Sequence, residues 1–189
     1  MSLRKAARTL FAITVTGIAT FVFVVVFLHL SQPDYDPRSQ MMSELALGKS
    51  GDLLLVAFIG LSVAIGTTAV SLLKQGSPAF LTALLCLASA CFLAAGIVTL
   101  SVSAESHVLF VAIGFIACGL SMYLLPRTSL AFSGLRCHIV SWGSCLVMSV
   151  ATGAGGNLIM AGIAQRISAV ALLLWLSYVA GTLALTKQP

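Results

Sequence analysis

Residues 10–30 read LFAITVTGIATFVFVVVFLHL, a run of 21 positions with no Asp, Glu, Lys or Arg. At 1.5 Å per residue such a run, wound as a helix, matches the ~30 Å hydrocarbon core of a bilayer. Its hydrophobicity is continuous and not alternating, which excludes a barrel strand. A helix also satisfies every backbone N–H and C=O within itself, as lipid requires. Arg4, Lys5 and Arg8 precede the run and give it the look of a secretory signal. The run exceeds the ~7–15 residues of a signal core, and no small-x-small site follows it; the chain continues Ser31-Gln32-Pro33-Asp34. The expectation is an uncleaved first membrane helix.

Five further apolar segments follow, at about 53–73, 79–100, 108–125, 139–163 and 168–186. Ser77-Pro78 offers an N-cap with proline in the first turn. Pro126 and Arg127 are expected to close the fourth span, and Gln165-Arg166 to break the last apolar stretch in two. The chain is 59% hydrophobic and 8% charged, against ~25% charged in soluble domains. With 189 residues divided among spans of ~20, the expected fold is all-α: one polytopic domain over residues 1–189, a six-transmembrane-helix bundle.

Charge sets the expected direction. With back-and-forth threading, Arg4, Lys5, Arg8, Lys74, Arg127, Arg136 and Lys187 fall on one face. Arg38, Lys49 and Arg166 fall on the other, together with all five acids, Asp34, Asp36, Glu44, Asp52 and Glu105. The positive-inside rule then places both termini in the cytoplasm, and the expected location is a bacterial inner membrane. The net charge of +5 is scattered singly near span ends, which reads as topology signals and lipid-headgroup contacts and not as nucleic-acid binding.

The longest connection, 31–52, is expected outside. Pro33-Asp34-Tyr35-Asp36-Pro37 is turn chemistry. Residues 39–47 read as a short helix, capped by Ser39 and stopped by Gly48, lying on the surface or over the bundle mouth. Small residues recur at spacings of four, as in Ser149, Gly153 and Asn157 or Ser62 and Gly66. Such stripes let helices approach closely in lipid. Asn157 is expected to make an interhelical hydrogen bond.

No ionisable residue lies near the middle of a span, which weighs against ion-coupled transporters, proton pumps and voltage sensors. The polar groups gather at the outer level instead: His29, Asp34, Tyr35, Ser43, Glu44, Glu105, His107 and Arg166. Arg166 is expected to pair with Glu44. A structural ion pair, a polar site for a lipid headgroup or small ligand, and catalysis are the open readings. His29, His107 and a carboxylate are a conceivable zinc set, but no HxxxH or HExxH motif supports it, and His138 lies at the other face. Cys86, Cys91, Cys118, Cys137 and Cys145 form no CxxC pair and read as packing residues. GxSxG and phosphate-loop motifs are absent. The sequence thus implies no cofactor and no metal.

The stretch Pro33-Asp34-Tyr35-Asp36-Pro37-Arg38-Ser39-Gln40-Met41-Met42-Ser43-Glu44-Leu45 resembles the first-loop pattern of the prokaryotic family called domain of unknown function 998. Ser106-His107 before an apolar helix is similar to that family's loop histidine. Gly162-Ile163-Ala164-Gln165-Arg166-Ile167, followed by Trp175, resembles its Gly-x-x-Gln/Glu-Arg junction. The resemblance implies a six-helix membrane protein and no settled activity. A more distant likeness to eukaryotic six-span proteins linked to lipid handling is a fold-level analogy. Leu100-Ser101-Val102-Ser103 departs from the family's Pro-Thr-Asp-like turn at the end of the third helix, and Glu105 is the expected substitute for the acid.

The resulting expectation is a membrane protein that binds a lipid or other amphiphile at the outer leaflet. Glu44 and Arg166 form the latch, His107 and Tyr35 offer hydrogen bonds, Asp34 and Ser43 lie beside them, and the 39–47 helix covers the site. Membrane lipids are the expected partners. Two alternatives stand beside it: an accessory subunit bound to another membrane protein, and a membrane enzyme acting on lipid with His107 as acid or base.

Overall fold

The computed structural model describes residues 3–128 and 132–185. Six helices make up most of it: α1 Leu3–Ser31, α2 Leu54–Lys74, α3 Ala79–Ile97, α4 Leu100–Thr128, α5 Leu135–Ala154 and α6 Ala161–Leu185. Each is long and apolar enough to cross a membrane, and the chain is a multi-pass membrane protein. Consecutive helices run antiparallel and pack side by side. α6 closes the ring against α5 and α1 and touches α2 across the centre. α2 and α6 are the most enclosed helices, and α5 is the least.

Small residues decide which helices come closest. A Cβ added at Gly17 would run into the carbonyl oxygen of Gly60, and one at Gly60 would lie 2.7 Å from the carbonyl oxygen of Gly17. At that crossing α1 and α2 pack backbone to backbone, which side chains larger than hydrogen forbid. Polar zippers reinforce the pairs. Thr14 and Thr67 hydroxyls meet at 2.8 Å between α1 and α2. Ser62 Oγ donates to Ser89 O at 2.9 Å between α2 and α3. Between α6 and α5, the fully enclosed Trp175 donates its Nε1–H to Ser141 Oγ at 3.0 Å. Gly17→Val is expected to destabilise the protein by about 1–3 kcal/mol, the usual cost of overpacking. The check is thermal unfolding in detergent against Gly143→Val, where an added Cβ meets nothing within 4 Å.

Several expected boundaries move. The third span ends at Ile97 and not at residue 100, and α4 begins at Leu100 and not at residue 108. A kink at Ser103 (φ −161°, ψ 105°) divides α4. Ser103 Oγ accepts from the Ser106 N–H at 3.4 Å, so Ser103 acts as an N-cap for the helix that follows. Pro126 does not close α4: it sits in the last turn, which continues to Thr128. The break between the last two helices lies at residues 155–160 and not at Gln165-Arg166, which are inside α6. Gly156 has φ +79°, a left-handed conformation that glycine tolerates, and its N–H donates to Ile159 O at 2.9 Å. Asn157 stands exposed in that turn, so the expected interhelical bond is not made; its backbone N–H donates to Ala154 O at 3.3 Å. Residues 186 and 187, which the sequence reading used, lie outside the described residues.

Candidate functional site

The 32–53 segment is an ordered cap on the face where α6 begins. Gln32 is buried and donates Nε2–H to Leu45 O at 3.0 Å and to Lys49 O at 2.9 Å, tying both ends of the segment together. The expected helix over 39–47 is shorter and tighter, a 3₁₀ turn over Met42–Leu47 ending at Gly48. Ser39 does not cap it. Its hydroxyl donates to Asp36 Oδ2 at 2.7 Å, and Asp36 Oδ1 accepts the Arg38 N–H at 3.0 Å. The Arg38 N–H, then the Ser39 hydroxyl, hold the exposed Asp36 carboxyl below its usual range. Its small contribution to folding is therefore present at neutral pH and fades as pH falls through the lowered value.

The first two turns of α6 clamp this cap. Ile163 N–H donates to Arg38 O at 3.1 Å, and Gln165 Oε1 accepts the Met42 N–H at 2.6 Å. Arg166 NH1 donates to Gln40 O at 3.0 Å and to Gly162 O at 2.8 Å. Gly162 is glycine because the cap's backbone lies on it: a Cβ there would meet the carbonyl oxygen of Gln40 and those of Pro37 and Arg38 at 2.6 and 2.7 Å. The Gly-Ile-Ala-Gln-Arg stretch is thus a docking surface for the outer segment, met at Gly162, Ile163, Gln165 and Arg166.

The other side of the guanidinium faces α1. Arg166 NH2 donates to Tyr35 Oη at 2.6 Å and lies 2.7 Å from His29 Nε2. His29 Nδ1 is 2.7 Å from Val25 O. A carbonyl only accepts, so Nδ1 carries the proton and the Nε2 lone pair faces Arg166. The His29 and Tyr35 rings meet edge to face at 4.9 Å. Tyr35 Oη also donates, shared between Met41 O at 2.8 Å and Gln40 O at 3.0 Å. Burial pushes the Tyr35 hydroxyl above its usual range against the downward pull of the adjacent Arg166. The protonated form is the one the fold prefers, and its contribution is lost only as pH rises through the raised value.

The expected Arg166–Glu44 pair is not formed. Glu44 Oε1 accepts the Met41 N–H at 2.8 Å, closing the first turn of its own 3₁₀ segment. The partners of Arg166 among the described residues are two carbonyls, a hydroxyl and an imidazole, none of them a carboxylate. His107 does not join the cluster either. It is 2% exposed, and its Nδ1 lies 2.9 Å from both Ala95 O and Val98 O, so it ties down the end of α3 from within. Among the described residues its Nε2 is enclosed without a hydrogen-bond partner, beside the Phe58 ring. Asp34 is exposed in the turn, and Ser43 is buried. No group of three His, Cys, Asp or Glu capable of holding a metal occurs among the described residues. Gln40 and Gln165 are the members that the residue-by-residue reading left out; His29 was placed at the outer level but given no role in the site. Gln165 was legible only as the neighbour of Arg166 in the junction motif.

Three spaces border the cluster, one of them an open furrow of about 680 Å³ between α5 and α6 that Arg166 also lines. Beneath the 3₁₀ turn lies a cavity of about 30 Å³, walled by Phe58, Phe92 and Phe115 and edged by Ser43 and Gln165. That is room for about one water molecule and too little for a lipid chain. On the outside, α1 and α6 diverge to leave an open groove of about 450 Å³. Phe21, Val22, Val25, Val170 and Leu173 line it, and His29, Met42 and Arg166 stand at its end.

No curated protein and no solved structure matches the chain. The family model described as "Protein of unknown function (DUF998)" matches residues 15–182, which take in the clamped cap, the Arg166 cluster and all or part of every helix, and the chain therefore belongs to that family.

Proposed function

We propose that this protein binds an anionic amphiphile of the leaflet on the cap side, with the acyl chain in the α1/α6 groove and the charged head at Arg166. One observation carries this reading. A half-buried guanidinium, held rigid by four hydrogen bonds to groups other than carboxylates, stands at the end of an apolar groove that faces lipid. A cation at membrane level without an internal counter-charge attracts an anion, and arginine suits phosphate better than any other side chain. A groove of about 450 Å³ is within the ~300–1,000 Å³ range of small-molecule sites. Tyr35 and His29 act as positioning residues for the guanidinium. In this reading the cap is not a lid over a cavity but the rigid wall that aims Arg166. The face charges, with acids on the cap side and basic residues at the opposite side, support a bacterial cytoplasmic membrane with the cap outside.

Native mass spectrometry of protein purified in mild detergent tests this. With phosphatidylglycerol added, the wild type should retain one lipid that Val22→Trp loses, because the indole fills the groove from an exposed position of α1. Leu87→Trp, at an exposed position of α3 away from Arg166, should leave retention unchanged. If Val22→Trp holds as much lipid as the wild type, the groove is not the site.

A further inference from the structure

A second cluster lies at the opposite end of the bundle. Pro126 cannot donate a backbone hydrogen bond and loosens the last turn of α4. The carbonyl of Tyr123 there accepts from Arg127 NH1 at 3.1 Å and from Trp142 Nε1, on α5, at 3.2 Å. The Arg127 guanidinium rests on both rings, 3.9 Å from the Tyr123 centroid and 4.5 Å from that of Trp142. The two rings are stacked at 6.5 Å, and His138 meets Trp142 edge to face at 4.8 Å. Cation–π contacts and one hydrogen bond therefore fix the guanidinium at an exposed site. Among the described residues its partners include no carboxylate.

This cluster stands at the mouth of a different groove. α4 and α5 part to leave an open space of about 510 Å³, with Ile116, Leu120 and Tyr123 on one wall and Met148, Ser149 and Thr152 on the other. Small residues keep it open: a Cβ at Gly153 would meet nothing within 4 Å, and one at Gly119 would press on the Met148 methyl at 3.2 Å. Tyr123 belongs both to the groove and to the ring pair beneath Arg127. Apolar wall and cation are thus continuous, in the order of a phospholipid's chain and phosphate.

We infer that the α4/α5 groove holds one anionic phospholipid of the leaflet opposite the cap, its chain between Ile116 and Ser149 and its phosphate on Arg127. Scattered Trp, Tyr and Arg at an interface anchor a helix without selecting a lipid. Here the geometry adds a preset guanidinium and a groove ending on its aromatic support, so the site distinguishes headgroup charge. The occupant is a lipid and not a free phosphate, because the apolar groove runs into Tyr123, on which the guanidinium rests. The site is independent of Arg166, which lies at the other end of the bundle.

Lipid retention of the full-length protein, measured with phosphatidylglycerol and with phosphatidylcholine, tests the inference. In the Val22→Trp background, where the cap-side groove is filled, one phosphatidylglycerol should still be retained in preference to phosphatidylcholine. Adding Arg127→Gln should reduce that retention about tenfold, the equivalent of one charge-assisted contact. Arg127→Lys should keep part of it, since charge remains and the fork geometry does not. Ile116→Trp should reduce retention of both lipids. These positions are exposed, so an unchanged melting temperature certifies the fold of each variant. Equal retention of the two lipids by the parent, or undiminished retention by Arg127→Gln, overturns the inference. Undiminished retention by Ile116→Trp overturns it too, because the groove would then hold no chain. Loss of the cap-side lipid alone, on Val22→Trp, bears only on the reading of Arg166.

Discussion

Arg166→Gln is expected to cost about 3 kcal/mol and lower the melting temperature in detergent by roughly 5–10 °C. The side chain makes four hydrogen bonds, to Gln40 O, Gly162 O, Tyr35 Oη and His29 Nε2. Bonds from charged donors are worth ~1.5–3 kcal/mol each in mutational series. The guanidinium is half-exposed, so their sum is discounted heavily for solvent screening. Glutamine reaches at most two of the four acceptors and leaves the rest partly enclosed. Glu44→Ala is a contrasting control. Its carboxylate closes one turn through the Met41 N–H, and its loss is expected to cost about 1 kcal/mol, as for a helix cap. Two falls of equal size would mean that Glu44 and Arg166 act as a pair, against the geometry described above.

Gly162→Val is expected to release the cap while sparing the bundle. Its Cβ would lie against three carbonyl oxygens of the cap, those of Pro37, Arg38 and Gln40. These are backbone atoms that cannot rotate aside, so the segment must lift. Lifting breaks the Ile163 N–H to Arg38 O bond, the Met42 N–H to Gln165 bond and the Arg166 NH1 to Gln40 bond together. The expected cost is about 2–3 kcal/mol, the upper part of the overpacking range, concentrated in one segment. Limited proteolysis should then cut within residues 33–50 several-fold faster than in the wild type, while far-UV circular dichroism keeps its helical signal. An unchanged cleavage rate would show that the cap is held from elsewhere, with Gln32 the first candidate through its bonds to Leu45 O and Lys49 O.

The departures from the sequence reading share one cause: hydropathy measures solvent and is blind to partners. Gln165 and Arg166 look like a break because they are polar within an apolar stretch. Inside α6 they face the cap, whose carbonyls and N–H groups satisfy them, so the helix runs through. The actual break at Gly155-Gly156 is apolar by composition and is set by backbone conformation at Gly156. His107 was placed with the outer polar groups by its position at a span end. Ser103 starts the helix earlier, which carries His107 inward onto the carbonyls of α3. Arg166 was drawn toward Glu44 by opposite charge, but Glu44 is nearer the N–H groups of its own turn and is taken by Met41.

Six crossings, their alternation of direction and the sorting of charges between two faces follow from sequence alone, because the bilayer enforces length and polarity residue by residue. That Arg166 reaches the first outer segment was also legible, though through Glu44 and not through the groups it actually meets. Its partners were not, since His29, Tyr35, Gln40 and Arg166 meet only after α1 and α6 have packed, 137 residues apart in the chain at the widest pair. Whether α1 and α6 part to leave a groove, and whether the space beneath the cap is open or filled, depends on how whole helix surfaces interlock. That is a property of close packing between distant segments, and only the assembled bundle decides it.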